Sequence, residues 1–241
     1  KGEIKSAMTY PVVSLVMICC ISLGLLVFVL PQFRDIFDSL KQDMPILTEA
    51  VMNLSDLAQS NFGLILFSVL GSILGTRMLI NTHRGRRVWD ALILRIPIFG
   101  PLMQKTIVSR FSGTFATLIR SGVPILGALE IVSKTTGNVH YSEAIEKSAE
   151  AVRQGENLGN PLSRTKRFPP MVCRMIAIGE RSGSLEQLLE KVSQFYDSEV
   201  RSTVKQLTSL IEPFLILIMG GVVGTMVLAM FLPLLQMIGN M

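Results

Sequence analysis

One stretch near the carboxyl end of the chain limits its possible folds more than any other. Residues 213–235 contain no charged side chain, and about 20 apolar residues are enough for a helix to cross the hydrocarbon core of a bilayer. In residues 185–211, apolar side chains recur every three or four positions with charges between them, which predicts an amphipathic helix. We therefore expect a water-facing helix that continues into a transmembrane helix, with a hinge at Pro213 because proline removes a backbone donor.

Two further segments are predicted to cross the membrane. Residues 12–30 carry no charge, and residues 62–80 carry only Arg77, whose long side chain can reach the headgroups from near the end of the span. Hydrophobic residues make up 49% of the chain and charged residues 17%, with a mean hydropathy of +0.48. This balance is typical of a membrane protein that also carries a water-exposed domain.

Proline spacing suggests an internal repeat. Pro11 and Pro31 enclose the first uncharged span at the same separation as Pro213 and Pro233 enclose the last. We interpret residues 1–11 as the tail of a missing first cytoplasmic domain, which a second domain later in the chain repeats. The alternative is that prolines flank many spans and that the equal spacing arises by chance.

Charge gives the predicted orientation. Residues 32–61 hold two basic and five acidic residues, a net charge of −3, whereas residues 81–205 hold 18 basic and 11 acidic residues, a net charge of +7. Basic loops remain on the cytoplasmic side. The sequence thus predicts a periplasmic loop at 31–61, a cytoplasmic domain at 81–212 and a periplasmic terminus at 236–241.

The predicted cytoplasmic domain shows helical periodicity throughout and no extended alternation typical of strands. Gly137 is expected to end one helix and Asn138 to cap the next. The predicted class is therefore all-α, an integral membrane protein with three transmembrane helices and an antiparallel six-helix bundle. Of the predicted bundle helices, the first has its apolar stripe at 107–119 and ends at Gly122, the second runs from Pro124 to Gly137 and the third from Asn138 to Gly155. The fourth and fifth cover 161–166 and 171–180, and Ser184 caps the sixth.

Residues that could perform chemistry are sparse. Cys19 and Cys20 lie in an apolar run and Cys173 is distant from both, so no disulfide framework or zinc pair is predicted. His83 and His140 are also far apart. We predict no catalytic residue, no cofactor and no metal site, and therefore no enzyme. The basic charge does not favour nucleic-acid binding, because a single Trp and few other aromatics offer no stacking platform.

One charged turn is the candidate partner interface. Glu180, Arg181, Ser182 and Gly183 lie between two predicted helices, and no His or second carboxylate near them in sequence would form an acid–base pair. Two interpretations stay open. In the first, this is a tight turn in which Glu180 caps a helix or pairs with a nearby group. In the second, Glu180 and Arg181 contact another protein.

Small residues four apart in two spans form candidate transmembrane packing faces. Gly71 and Gly75 form one such face, and Gly220 and Gly224 form the other. Such pairs let helix backbones approach closely in lipid, where no hydrophobic effect draws helices together. We favour packing within one chain over packing between two copies.

Several motifs, taken together, resemble one family, the inner-membrane platform proteins of type II secretion and type IV pilus assembly, called the F or PilC family. The residues that carry the resemblance are Arg110-Phe111, residues 118–125 (LIRSGVPI), Thr136-Gly137-Asn138, Phe168-Pro169-Pro170 and residues 179–185 (GERSGSL), with Val29-Leu30-Pro31-Gln32-Phe33, Met44-Pro45 and Phe231-Leu232-Pro233.

The resemblance implies a non-enzymatic, multi-pass scaffold in the bacterial inner membrane that couples a hexameric cytoplasmic ATPase to the insertion or extraction of pilin subunits. The implied partners are that assembly ATPase, pilins or pseudopilins, other inner-membrane assembly proteins, the lipid bilayer and further copies of the chain, but no nucleic acid. The alternative function is a small membrane transporter or channel component, although the spans contain few polar residues to line a cavity.

Overall fold

The computed structural model describes residues 2–29, 32 and 46–239, and within them every regular element is helical. The predicted all-α class is confirmed for this part of the chain. In chain order the elements are α1 (Gly2–Gly24), a π-helical segment (Leu25–Val29), α2 (Ile46–Ser60), α3 (Phe62–Asn81), α4 (His83–Arg95), α5 (Phe99–Arg120), α6 (Ile125–Thr135), α7 (Val139–Arg153), α8 (Gly159–Arg164), α9 (Pro170–Ser182) and α10 (Leu185–Gly239).

Three helices within the described residues are long and apolar enough to cross a membrane, namely Thr9–Val29, Phe62–Asn81 and Leu185–Leu232. By length and composition alone, α4 and α5 together could form a fourth, although their axes differ by 109°. The fully buried rings of Phe111 and Phe115 in α5 face protein and not lipid, so we do not interpret this pair as a span. The number of spans stays a prediction.

Helices run through two prolines that were expected to mark boundaries. α1 begins at Gly2 and contains Pro11, whereas the predicted span starts after that proline. α10 likewise includes Pro213 as one helical segment. A proline inside an apolar helix removes one backbone hydrogen bond, and the surrounding backbone and its neighbours can compensate for that loss. The hinge at Pro213 and the membrane boundaries stay predictions.

The chain divides into two compact units, and the first contains Lys1–Thr76 and Lys205–Met241. Here polar side chains of α2 satisfy backbone groups at the end of the first apolar helix. The Ser55 hydroxyl donates to the Leu26 carbonyl at 2.5 Å, and the Gln59 amide donates to the Val27 carbonyl at 3.3 Å.

A second contact joins α2 to the last helix within the same unit. The Thr48 hydroxyl is buried and donates to the Ala229 carbonyl at 2.8 Å. Beside it, Val51 and Met52 pack with Ala229 in a small apolar cluster. α2 is therefore held by side-chain hydrogen bonds at two places. The predicted loop residues between the first span and α2 lie mostly outside the described residues.

The second unit, Arg77–Val204, has a conventional apolar core. Buried side chains from α5 to α10 form one cluster, and its centre is aromatic. The ring of Phe168 lies 4.8 Å from that of Phe111 and 5.4 Å from that of Tyr141. The Phe168-Pro169-Pro170 motif therefore inserts a ring into the core before Pro170 begins α9, where a proline loses no helical hydrogen bond.

The predicted helix ends in this unit are confirmed where hydrogen bonds define them. Asn138 caps α7, because its side-chain oxygen accepts from the backbone N–H groups of His140 and Tyr141. Gly137, just before it, has a φ of +82°, as expected for a left-handed cap. Each predicted bundle helix has a counterpart among α5 to α10, but α4 was not predicted. The antiparallel six-helix arrangement stays a prediction.

Candidate partner interface

The charged turn between α9 and α10 is closed by a glycine in the left-handed conformation. Gly183 has a φ of +70°, and its N–H donates to the carbonyl of Gly179. The next residue, Ser184, bonds the same carbonyl at 3.0 Å. A residue with a Cβ would be strained at Gly183, so this position makes the turn and offers no side chain to a partner.

Glu180 has a specific contact inside the unit. Its two carboxylate oxygens accept from the Leu158 N–H at 3.1 and 2.8 Å, and Leu158 is fully buried. An unpaired N–H at a buried helix start is costly, so Glu180 satisfies the N-terminal end of α8. Of the two interpretations, the local role of Glu180 is the one with a visible contact.

Arg181, Ser182 and Gly183 are exposed, and the first two carry side chains. Arg181 donates through Nε to the Ala177 carbonyl at 3.2 Å, and the Ser182 hydroxyl donates to the Ile178 carbonyl at 2.9 Å. The terminal guanidinium nitrogens of Arg181 have no partner among the described residues. Arg181 therefore remains a candidate contact for an acidic surface, and the interface role of the turn stays a prediction.

A charged cleft of about 510 Å³ lies between α7 and α8. Its charged and titratable lining consists of His140, Glu143, Lys147, Glu156, Arg164 and Arg167. Both acids are paired, Glu143 with Arg87 at 3.1 Å and Glu156 with Arg164. The side chains of Lys147 and Arg167 have no ion-pair partner in the described part of the chain, so the cleft has two cations available for an acidic ligand.

The charged turn and the cleft share one support. Glu180 on α9 fixes the first residue before α8, and α8 supplies one wall of the cleft through Pro161 and Arg164. Sequence reasoning missed this connection, because Glu180 and Leu158 are 22 residues apart and no local pattern links them. The turn therefore also affects the shape of the cleft.

Ion pairs between α5 and α10 were also not predicted. Arg120 bonds Glu186 and Glu190, each at 2.6 Å, and at the other end Lys105 bonds Glu199 at 2.8 Å. The hydrogen bond that Arg120 donates to Glu186 and the charge of Glu190 raise the pKa of Arg120. Because these groups are partly or largely exposed to water, each pair adds little to stability. The pairs connect α5 to α10 at two places.

The titratable groups with raised pKa values belong to the core. Burial raises the pKa of Tyr141 to about 12, and its hydroxyl donates to the Arg167 carbonyl at 2.9 Å. Burial also raises the pKa of the Cys173 thiol, which keeps it protonated and poorly nucleophilic. Among the described residues no group of three or more His, Cys, Asp or Glu side chains is placed to hold a metal ion.

The predicted glycine faces are open. A Cβ added at Gly71, Gly75, Gly220 or Gly224 would meet no atom within 4 Å. The expected packing within one chain is therefore not seen at these positions among the described residues. Packing of these faces against another membrane helix stays a prediction.

The sequence is similar to those of several known proteins. A family model described as "Type II secretion system (T2SS), protein F" matches residues 111–233, which include the α9–α10 turn and the cleft. Similar curated proteins include "Type IV pilus assembly protein PilC" of Myxococcus xanthus, 38% identical over 99% of this chain and 57% of that protein, and the protein of the same name from Thermus thermophilus, 41% identical over 100% and 60%.

"Type II secretion system protein F" of Pseudomonas aeruginosa is 34% identical over 98% of this chain and 58% of that protein. The chain thus spans about three fifths of the length of the curated relatives it matches. The family match covers half of the chain and includes the motifs from residues 118–125 to Phe231-Leu232-Pro233. This chain belongs to the type II secretion system protein F family.

Proposed function

We propose that the chain is part of a non-enzymatic inner-membrane platform for assembly of a type IV pilus or a type II secretion pseudopilus. The observation that carries the proposal is that a chain of this family joins helices of membrane-spanning length to a helical unit with its own apolar core. A platform must hold partners in the bilayer and in the cytoplasm at once, and this composition fits that task.

The helical unit Arg77–Val204 is the proposed contact for a cytoplasmic ATPase. It is basic, and Arg181, Lys147 and Arg167 have charged groups without a carboxylate partner among the described residues. Cations of this kind favour an acidic docking surface and speed association at low salt. α10, which contributes Leu189 and Val192 to the core and continues to Gly239, is the proposed route by which ATPase-driven motion reaches the pilins.

Charge reversal tests the docking surface. In cells that assemble pili from the full-length protein, Arg181→Glu and the double variant Lys147→Glu with Arg167→Glu are expected to reduce ATPase co-purification and piliation. Lys134→Glu, at an exposed position on α6, is the matched control and should leave both unchanged. If both cleft and turn variants bind the ATPase and form pili normally, these residues have no part in docking.

Glu180 requires a separate control because it binds Leu158 within the unit. Glu180→Gln retains a side-chain acceptor and removes the charge. If it binds the ATPase normally while Glu180→Lys does not, the loss with Lys is a folding effect. Loss with both variants, at normal helical content and thermal stability, would place the carboxylate charge at the interface.

The choice between the two machines needs a cellular readout. Relatives named for pilus assembly are 38% and 41% identical, and the relative named for type II secretion is 34% identical. We favour the pilus. A deletion strain scored for twitching motility and for secreted enzymes distinguishes them, and loss of secretion with normal twitching would reverse the assignment.

A further inference from the structure

The helix α4 exposes an apolar stripe that the rest of its unit does not cover. The stripe lies on one side of the helix and consists of Val88, Trp89 and Leu92, with Ile96 directly after the last helical residue. These side chains are 67%, 41%, 51% and 37% exposed, respectively. The exposed apolar surface continues to the start of α5, where Ile98 and Phe99 are 53% and 48% exposed. Contiguous exposed apolar surface of this kind marks a binding surface more often than chance exposure does.

The opposite side of α4 is already bound to the unit. Asp90 is buried and accepts from the Val139 N–H at 2.8 Å, while its own carbonyl lies 3.4 Å from the Asn138 amide nitrogen. Leu94 packs against the main core. Because successive helical residues are about 100° apart, Leu92 lies about 200° from Asp90. The stripe therefore faces away from the unit.

Basic side chains border the stripe. Arg84, Arg86 and Arg95 are exposed, and none has an acidic partner among the described residues. The single acid of α4, Asp90, is directed to the start of α7. The outward side of the helix therefore combines an apolar centre with unneutralised positive charge at its margins, and this is the composition of helices that lie in a membrane interface.

Glycines allow the backbone to pack closely at both ends of α4. A Cβ at Gly85 would lie 1.9 Å from the carbonyl oxygen of Leu79, near the end of α3, and a Cβ at Gly100 would lie 2.4 Å from the carbonyl oxygen of Leu94. Neither carbonyl can move away without breaking its helix. The backbone therefore approaches itself closely at both ends of α4, and the axes of α4 and α5 differ by 109°.

The occupant of the stripe follows from chain connectivity and charge. A single residue, Thr82, separates α4 from α3, which is long and apolar enough to cross a membrane. We propose that α4 lies in the headgroup layer of the bilayer, with the stripe at the acyl boundary and with Arg84, Arg86 and Arg95 on anionic phospholipid headgroups. Tryptophan prefers this depth, and anionic leaflets attract basic residues within a Debye length. The inference does not depend on the proposed partner ATPase.

Trp89 is the sole tryptophan of the chain and reports on this contact directly. The purified full chain is reconstituted in vesicles of zwitterionic lipid, with or without phosphatidylglycerol, and with acyl chains brominated near the headgroup as quenchers. We expect Trp89 emission to be blue-shifted and quenched several-fold in anionic vesicles. High salt is expected to weaken the quenching.

Two variants separate docking from mere proximity to the bilayer. Leu92→Asp is expected to abolish most of the quenching, whereas Ile178→Asp, at a site of comparable exposure on α9, is expected to leave it unchanged. Replacing Arg84, Arg86 and Arg95 by Gln is expected to lower the docked-to-undocked ratio about fivefold for each arginine, which corresponds to about 1 kcal/mol per residue.

The result that overturns the proposal is equally direct. If Trp89 is water-accessible in both lipid compositions, the stripe is not covered by lipid and a protein partner must cover it. If quenching is the same in the native chain, in Leu92→Asp and in the arginine variant, it reflects only the short tether to α3. Circular dichroism of each variant confirms that the helices are intact.

Discussion

The two units of this protein treat the same side chains in opposite ways. In Arg77–Val204 the rings of Phe111 and Phe115 are fully buried, whereas in the other unit Phe67 is 80% exposed and Leu217 is 71% exposed. One unit buries apolar groups from water. The other presents them outward, as expected for a surface covered by lipid.

Buried polar side chains occur in both units. In the unit of Lys1–Thr76 and Lys205–Met241, which we call the membrane-type unit, the hydroxyls of Thr48 and Ser55 are buried and donate to backbone carbonyls. In the other unit the ion pairs of Arg120 lie at the surface. The two units therefore differ in what they expose: ion pairs lie on the surface of one and apolar side chains on the surface of the other, where hydrogen bonds such as that of Ser55 add to apolar packing inside.

The largest expected effect comes from replacing one phenylalanine by alanine in each of the two units. Phe111→Ala is expected to lower the free energy of unfolding by about 3–5 kcal/mol, because it leaves a cavity in a packed core. Phe67→Ala is expected to cost far less, since its ring makes few contacts within the chain. Urea unfolding of the detergent-solubilised chain, followed by circular dichroism, measures both, and equal losses would contradict the difference between the units.

The contact of Glu180 tests how much one buried backbone donor matters in the water-facing unit. Glu180→Ala leaves the Leu158 N–H without its acceptor and is expected to cost about 1–3 kcal/mol in the same urea experiment. The neighbouring Arg181→Ala removes only exposed contacts and is expected to stay within about 0.5 kcal/mol of the native chain. A neutral Glu180→Ala would mean that water can replace the carboxylate there.

High pH should weaken the core of the same unit. Burial raises the pKa of Tyr141 from 10.0 to about 12, so the folded chain keeps a proton that the unfolded chain releases. The resulting stability is complete below pH 10, and is lost as pH rises towards 12, by about 1.4 kcal/mol per pH unit.

Tyr141→Phe is expected to remove much of this slope, although Tyr196, whose pKa is also raised by burial, still titrates. Urea midpoints measured across that pH range test the expectation. A slope unchanged by the substitution would show that the Tyr141 hydroxyl reaches water in the folded state.

The smallest expected effect lies in the membrane-type unit. Ser55→Ala removes the hydrogen bond to the Leu26 carbonyl and is expected to cost about 0.6 kcal/mol, the average for such bonds within membranes. Ser72→Ala is the matched control, because its hydroxyl bonds only the Val69 carbonyl of its own helix. Titration of both variants with dodecyl sulfate in mixed micelles measures the difference, and equal midpoints would show that the contact of Ser55 has no net value.

Local patterns predicted much of the helical unit. Three-to-four periodicity located the buried side of α5, and Gly137 with Asn138 marked a helix boundary that the structure confirms. These features depend on neighbours in sequence, since capping bonds and apolar stripes involve residues at most four positions apart. The family was predicted from its motifs in the same way.

The sequence did not predict contacts between residues that are far apart along the chain. The partner of Glu180 is a backbone N–H, which every residue except proline offers, so no residue type marks Leu158 as its partner. Ser55 and Gln59 likewise bond backbone carbonyls, which every residue has, so the sequence does not identify these partners either. α4 was missed for another reason: Trp89 and the arginines around it show their arrangement only once Asp90 fixes which side faces the unit.

The π-helical segment Leu25–Val29 has a consequence for chain length. Its turn holds about one residue more than an α-helical turn, so it shifts the angular phase of the residues on either side by about 100°. Deleting a single residue there would restore α-helical phase and rotate the outward-facing ring of Phe28 or its neighbours towards α2. The number of residues in this segment therefore sets which side chains face α2.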